Sequence, residues 1–181
     1  MRRETKFFLA LALAVSLPAV LAAAPLAAHP DFSGRWSLDK AASRMPGLGD
    51  IESKDLAVEH KEPKIRIRVK ALYAMGSGSS FLAAVTDGVE RENEEDEAFK
   101  EEAEQAGQYT VGSSSGMKVK ALWDGDRLVI STAISDTPDG STIEKEQVWS
   151  LSPDGRTLTI EFTRKGDTEG DVRGTEVYRK K

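Results

Sequence analysis

The sequence predicts an all-β fold, an antiparallel meander of about 8–10 strands that closes into a barrel. The first observation is alternation: Ile65, Ile67 and Val69 are separated by charged residues, which gives a strand one apolar and one solvated face. The second is regular turn chemistry of the Asp-Gly and Pro-Asp-Gly type between such segments. An open meander would leave two exposed edges, so closure into a barrel is favoured.

The same criteria place strands along the whole chain. Alternation recurs from Met117 to Trp123 and from Leu158 to Phe162, and turns separate these segments at Asp124-Gly125 and Pro153-Asp154-Gly155. We therefore expect strands near 32–38, 53–60, 64–74, 79–86, 107–113, 117–123, 127–135, 142–151, 156–164 and 172–180.

Residues 1–28 have the pattern of a signal peptide. Arg2, Arg3 and Lys6 precede an apolar run from 7 to 22, and small residues follow. The run is interrupted by Pro18 and falls short of the roughly 20 residues that a spanning helix needs. We expect cleavage after Ala22, Ala24 or Ala28, no stable membrane insertion after processing, and a single domain over 29–181 that is exported to the periplasm or the extracellular space.

Composition excludes several classes of protein. The chain of 181 residues has no Cys, which removes disulfides, thiolate metal sites and thiol nucleophiles. It carries 25 Lys+Arg against 30 Asp+Glu, a net charge of −5, and this argues against a nucleic-acid partner. Removing residues 1–28 takes away three basic residues and one acidic residue, which leaves a net charge of −7.

An acidic insertion over 90–105 interrupts the β pattern. It holds nine acidic and two basic residues. Asn93 is a suitable N-cap and Gly107 a suitable C-terminal stop, which predicts a helix of about thirteen residues. Phe99, Ala103 and Ala106 form a thin apolar stripe. The segment is either a solvated or disordered acidic loop or a lid over one mouth of the barrel.

A row of basic residues is the strongest charge feature of the β segments. It consists of Lys64, Arg66, Arg68 and Lys70, with Lys118 and Lys120 on another predicted strand. The row forms the solvated outer face of a barrel, lines an inward cavity for an anionic ligand, or docks the acidic insertion.

Catalytic and metal motifs are weak. Residues 112–116 match G-x-S-x-G, but a nucleophile elbow requires a helix after the Ser, and a strand is predicted there. His60 is the one histidine on the predicted domain body, and we expect it to be exposed beside a carboxylate at a strand end. We therefore predict no catalytic residues, no metal site and no cofactor.

The segment Asp31-Phe32-Ser33-Gly34-Arg35-Trp36 resembles the G-x-W opening of lipocalin-like (calycin) barrels. Together with Trp123-Asp124-Gly125 and Trp149-Ser150-Leu151, the chain is also similar to uncharacterised secreted bacterial proteins with a lipocalin-like domain. The resemblance implies that Gly34 and Trp36 close one barrel end and that an arginine of the last strand, Arg179 or alternatively Arg173, packs across the Trp36 ring.

These observations favour an exported, non-enzymatic barrel that holds a small apolar or amphipathic ligand. The residues expected to face the ligand are Ile65, Ile67, Val69, Phe81, Met117, Val119, Trp123, Leu158, Ile160 and Phe162. One alternative is an envelope interaction module that docks a partner through the acidic helix or the basic strand face. Another is a hydrolase or isomerase on the same barrel, which would require an inward-facing polar pair with perturbed pKa values.

Overall fold

The strands follow the alternating segments of the sequence. The computed structural model describes residues 29–46, 51–94, 96–107, 109–111, 116–135, 142–165 and 170–181. The strands within this part of the chain are β1 (Gly34–Leu38), β2 (Ile51–Lys61), β3 (Lys64–Tyr73), β4 (Gly76–Val85), β5 (Arg91–Glu92), β6 (Tyr109–Val111), β7 (Met117–Asp124), β8 (Arg127–Ile134), β9 (Ile143–Leu151), β10 (Thr157–Lys165) and β11 (Val172–Lys180). One helix, α1 (Glu97–Gln105), lies between β5 and β6.

All of these strands belong to one sheet, in the order β5-β7-β8-β9-β10-β11-β1-β2-β3-β4-β6. Neighbouring strands are antiparallel except for the short β6, which is parallel to β4. The sheet closes through β1, which pairs with β2 on one side and with β11 on the other. The described residues thus form a nearly closed antiparallel barrel, as the alternation of the sequence predicts, with a single short helix.

The gap in the barrel, called the seam here, lies between β4 and β7. Asn93 spans it: its backbone N–H donates to Met117 O at 2.8 Å, and its side chain pairs with the edge of β4. The Asn93 Oδ1 accepts from Ala83 N at 2.9 Å, and its Nδ2 donates to Phe81 O at 3.2 Å. One side chain therefore satisfies two edge groups of β4 that a neighbouring strand would otherwise pair with.

Alternation sorts the side chains into an inner and an outer set. On β3, the inward Ile65, Ile67 and Val69 are buried or partly buried, whereas Arg66 is exposed. The inner set divides along the barrel axis. One half, the aromatic end, is filled by Phe32, Trp36 and their neighbours, which are fully buried. The other half, the cavity end, lies toward the β3–β4 turn.

Helix α1 packs on the outer surface of β3 and β4. Asp96 caps it by accepting from Phe99 N at 3.0 Å, and Gly107 follows its end with a φ of +63°. Phe99 and Ala103 are buried, and the Phe99 ring lies 6.0 Å from that of Phe81. The helix covers part of the barrel wall.

The sequence-based expectation for this segment is corrected in three details. The N-cap is Asp96 instead of Asn93, because Asn93 is engaged at the seam, and the helix is nine residues long. Ala106 lies just past the last turn and is exposed, so the apolar stripe ends at Ala103. No helix in the described part of the chain is long and apolar enough to cross a membrane. The predicted signal peptide, 1–28, lies outside the described residues.

Candidate functional site: an internal cavity with charged side chains

A cavity of about 610 Å³ occupies the cavity end of the barrel. Such a volume lies within the range of small-molecule pockets, roughly 300–1,000 Å³. Its apolar wall includes six residues at inward positions of five strands: Leu56, Ile67, Val69, Met117, Ile134 and Ile160. Each of these side chains points inward because it occupies the same phase of strand alternation as the core below it.

Trp149 separates the cavity from the aromatic end. Its ring lines the cavity and makes an edge-to-face contact with Phe32, with ring centroids 5.8 Å apart. The Trp149 side chain is buried, and its Nε1 has no hydrogen-bond partner among the described residues. An unpaired buried N–H is costly, so the floor of the cavity is held by packing alone at this point.

A buried ion pair lies in the wall of the cavity. The Lys54 Nζ donates to both carboxylate oxygens of Glu176, at 2.7 and 2.9 Å. The Tyr178 hydroxyl donates to Glu176 Oε2 at 2.5 Å. Glu176 is only 1% exposed, so its charge is tolerated because three hydrogen bonds satisfy it.

These contacts shift the pKa values of Glu176 and Tyr178. Burial by itself raises the pKa of Glu176, but attraction to Lys54 and Lys145, with the hydrogen bonds, outweighs this and holds the pKa below its ordinary value. Burial, followed by the neighbouring Glu176 charge, raises the pKa of Tyr178. At neutral pH Glu176 is therefore a carboxylate and Tyr178 a neutral phenol.

Lys145 adds a second cation to the cavity wall. It lies on β9, in the same inward phase as Gln147 and Trp149, and its Nζ lies 5.5 Å from the centre of the Phe162 ring. Burial is the main cause that lowers the pKa of Lys145 to about 8, and repulsion from Lys54 adds to it. The group is still mostly protonated at neutral pH.

The aromatic end is closed by stacked rings. Trp36 Nε1 donates to Phe32 O at 3.0 Å, and the Phe32 ring stacks against Trp123, whose other face carries His29 at 4.1 Å. Trp36 and Phe32 are completely buried. This arrangement fills the barrel end with side chains and leaves no room there for a ligand.

The cation over the Trp36 ring is Lys180, at 5.1 Å, in place of the expected Arg179. The register explains the correction, because Trp36 pairs directly with Lys180, so both lie on the same face of the sheet and Arg179 lies on the opposite face. Arg179 instead donates to Asp39 Oδ2 at 3.1 Å and to Thr157 Oγ1 at 2.8 Å. Gly34 has a φ of +137°, and a Cβ there would come within 2.9 Å of the Lys180 side chain.

His60 is buried, contrary to the expectation of an exposed side chain. Its side chain is 3% exposed, and its Nδ1 accepts from Phe32 N at 3.3 Å. The expected carboxylate neighbour is present, since His60 Nε2 lies 3.2 Å from Glu62 Oε1. Glu62 Oε1 also accepts from Trp123 Nε1 at 2.8 Å, so these groups tie the aromatic end together.

The expected ligand-facing residues fall into three groups. Those that line the cavity are Ile67, Val69, Phe81, Met117 and Ile160. Those that belong to the packed core are Ile65, Val119 and Leu158, with Trp123 against it. Phe162 is buried beneath Lys145. Phe81 reaches the cavity at the β4 edge, although its ring packs against helix α1 on the outer surface.

The residues that the sequence predicts to face the ligand do not include the charged residues of the cavity. Lys54, Lys145, Glu176 and Tyr178 line it. A signal was available: Lys145 is in phase with Trp149 and Glu176 is in phase with Tyr178, so each charged residue occupies an inward position of its strand. A charged residue in phase with buried side chains indicates a buried polar group, whereas the basic row of β3 is out of phase with the core.

The basic row faces outward and docks the acidic insertion. Arg66 contacts Glu94 at 3.3 Å, Arg68 contacts Asp96 at 2.8 Å and Lys70 contacts Glu102 at 2.6 Å. The Arg68 hydrogen bond is the main cause that lowers the pKa of Asp96. Of the three arrangements left open by the sequence, the structure shows the third, and the helix lies on the barrel wall.

The described residues offer no metal cluster. No group of three or more His, Cys, Asp or Glu side chains within the described ranges could hold a metal ion. The central residues of the G-x-S-x-G motif, 112–115, lie outside those ranges.

Comparisons with known proteins identify a distant structural neighbour. The chain is similar to the crystal structure of secretory abundant heat soluble protein 4 from Ramazzottius varieornatus, with 15% sequence identity and a TM-score of 0.45. The alignment covers 83% of this chain and 94% of that chain. No protein-family model and no curated protein matches the sequence.

Proposed function

We propose that this protein is an exported, non-enzymatic barrel that binds a small amphipathic molecule inside its cavity. The observation that carries the proposal is the cavity of about 610 Å³ itself, bounded by apolar side chains and by a few polar ones. That combination is typical of ligand sites, in which apolar walls supply affinity and convergent polar groups fix orientation.

The rim of the cavity supports this proposal. Tyr73 and Met75, at the β3–β4 turn, line the cavity and are exposed, Met75 almost completely. Leu72 is exposed beside them. An apolar rim next to an internal cavity is suited to receiving the apolar part of a ligand.

The two alternative functions have less support. The acidic insertion, which contains the helix, and the basic strand face are engaged with one another through three ion pairs, so a partner that used either surface would have to displace the other. The cavity does carry the inward-facing polar groups with shifted pKa values that a hydrolase or isomerase would require, in Glu176 and Tyr178. The Glu176 carboxylate, however, is already held by Lys54 and Tyr178, which leaves it less available to react.

Probe uptake by matched variants tests the proposal. The neutral fluorophore N-phenyl-1-naphthylamine should brighten and bind saturably to the wild-type protein. The Ala71→Phe variant places a ring into the cavity and should abolish uptake, because Ala71 is a small residue of the cavity wall. The Ala57→Phe variant makes the same change on the exposed outer face of β2 and should leave uptake unaltered. Equal uptake by both variants would overturn the cavity as the binding site.

Export is tested on the same preparation. Intact mass and N-terminal sequencing of protein expressed from the full chain should show a start at Ala23, Pro25 or His29, in the fraction outside the cytoplasm. A chain that retains Met1 and stays in the cytoplasm would remove the export part of the proposal and leave ligand binding untouched.

A further inference from the structure

We infer that the ligand is an amphipathic anion whose charged group pairs with the Lys145 ammonium while its apolar part lies along the cavity wall. The inference rests on the proposed function and adds the chemical class of the ligand. It depends on which charges of the cavity already have a partner and which do not.

The carboxylate of the cavity is fully used by its neighbours. Both oxygens of Glu176 accept from Lys54, and Oε2 accepts from Tyr178 as well. The Lys54 side chain is 13% exposed and is held by this bidentate contact. These three residues therefore form a closed set in which the charges of Lys54 and Glu176 cancel.

Lys145 is left as the excess charge. Among the described residues no carboxylate lies within ion-pair distance of its Nζ, and its contact is with the face of the Phe162 ring. The charged groups that influence it are Lys54, Glu176 and Arg164, two of them positive. A partly buried cation in positive surroundings is unfavourable unless an anion joins it.

The position of Lys145 determines how such an anion would lie. Lys145 lines the same cavity as Ile67, Val69 and Met117, which present an apolar wall. A molecule with one anionic group and an apolar tail would satisfy both features together. A neutral molecule would satisfy the wall and leave the ammonium unpaired, and a cationic one would be repelled.

The lowered pKa of Lys145 makes the binding pH-dependent. The pKa of about 8 in the free protein means that the ammonium is present at pH 7 and is lost at higher pH. Affinity for an anion that is ionised throughout should thus be highest below pH 8 and should fall as pH rises above it. Affinity for a neutral probe should change little over the same range.

Titration with three matched probes tests the inference. Decanoate, decanol and decyltrimethylammonium share an apolar chain and differ in charge, and each is titrated against N-phenyl-1-naphthylamine bound to the protein. We expect decanoate to displace the fluorophore at the lowest concentration. The Lys145→Met variant should bind decanoate about tenfold or more weakly, as expected for a lost hydrogen bond to a charged group. Its affinity for decanol should be unchanged or improved.

The Lys61→Met variant is the control, since it removes the same charge from an exposed position at the far end of β2. It should keep the preference for decanoate. An equal loss of decanoate and decanol binding in Lys145→Met, or a wild-type protein that does not prefer the anion, would overturn the inference and leave the proposed function standing. A protein that takes up neither the fluorophore nor any probe would overturn the proposed function itself.

Discussion

Lys145 shows how one side chain links stability to the cavity. Its pKa falls from an ordinary 10.5 to about 8, chiefly because the charged form is desolvated in the barrel wall. A lowered lysine pKa means that the folded protein binds the proton less tightly than the unfolded chain does. At neutral pH the desolvated Lys145 ammonium therefore lowers the stability of the folded protein. On our inference, this is the group with which an anionic ligand forms an ion pair.

Replacing Lys145 by Met should raise the free energy of unfolding at pH 7 by about 1–3 kcal/mol, because the desolvated charge is removed and the chain length is kept. Between about pH 8 and pH 10.5 the unfolded chain holds a proton that the folded protein has released. Wild-type stability should accordingly rise with pH in that window relative to the variant, which narrows the difference. Urea denaturation of both proteins from pH 7 to 10.5 measures the difference between their free energies of unfolding. A difference that stays constant with pH would contradict this account.

Gly174 is required for a steric reason. A Cβ at this position would lie 2.5 Å from the backbone oxygen of Arg44 and 2.5 Å from the Phe162 ring. The Arg44 oxygen is fixed by its hydrogen bond from Thr175 N at 2.7 Å, so it has little freedom to withdraw. Because Gly174 has no side chain, the segment after β1 can pack closely against β11.

The Gly174→Ala variant should lose about 3 kcal/mol or more of stability, at the upper end of what overpacking costs. Gly155→Ala is the comparison. Gly155 has a φ of +65° and no atom near its would-be Cβ, so only backbone strain of about 1–2 kcal/mol applies there. Thermal denaturation of the two variants distinguishes these costs, and a Gly174→Ala protein as stable as Gly155→Ala would show that the Arg44 contact yields.

Helix α1 is held by its buried side chains Phe99 and Ala103 and by ion pairs between the acidic insertion and β3. Phe99 is 2% exposed and packs on Phe81, with the Arg68 guanidinium 5.9 Å from its ring centre. The Arg66 and Lys70 pairs are between exposed side chains, and such pairs contribute little. Docking of the helix therefore depends mainly on Phe99.

Phe99→Ala should release the helix from the wall without unfolding the barrel. The local cost is about 2–3 kcal/mol, at or somewhat below the usual range for truncating a buried Phe, because the cluster around Phe99 is small. Amide hydrogen exchange over 97–105 should become roughly 100-fold faster, while β8 to β10 keep their protection. Glu104→Ala, at an exposed position of the same helix, is the control. Unchanged exchange in Phe99→Ala would mean that the ion pairs hold the helix alone.

Asn93 carries the seam between β4 and β7. Asn93→Ala leaves Ala83 N–H and Phe81 C=O without that partner and should cost about 1–3 kcal/mol. Asn93→Asp keeps an acceptor for Ala83 N–H but sets a carboxylate oxygen against Phe81 O, where two acceptors repel, so its cost should be at least as large as that of Asn93→Ala. Urea denaturation ranks the three proteins, and an alanine variant as stable as wild type would show that the seam does not need the amide.

The predictability of the whole molecule depends on how local each feature is. The bounds of the long strands follow from alternation and turn residues, which lie within each segment; β11, for example, is found at 172–180 as expected. The pairing of β1 with β11 joins residues from opposite ends of the sequence, and no local pattern specifies it. The seam, Asn93 and the orientation of Lys180 all depend on that pairing.

The sequence predicts only part of the candidate site, because some of its features are local and others depend on the whole barrel. The apolar wall follows from strand phase, so Ile67, Val69, Met117 and Ile160 were expected and do line the cavity. The division of the interior into a packed half and a hollow half depends on where Trp36 and Trp149 lie along the barrel axis. Strand phase gives the face of a residue and carries no information on its height in the barrel.

Since β1 lies between β2 and β11 and the seam lies elsewhere, the order around the sheet of the nine long strands, all except β5 and β6, is a rotation of their order along the chain. A circular permutant that begins at Gly116, joins Lys181 to His29 by a flexible linker and ends at Val111 would place the nine long strands in sequence order from β7 to β4. Every neighbouring pair of long strands would then be consecutive in the chain, which lowers the contact order and should speed folding. Stopped-flow refolding compared with the parent protein measures this, and a permutant that folds more slowly would indicate that early β1–β11 pairing is not rate-limiting.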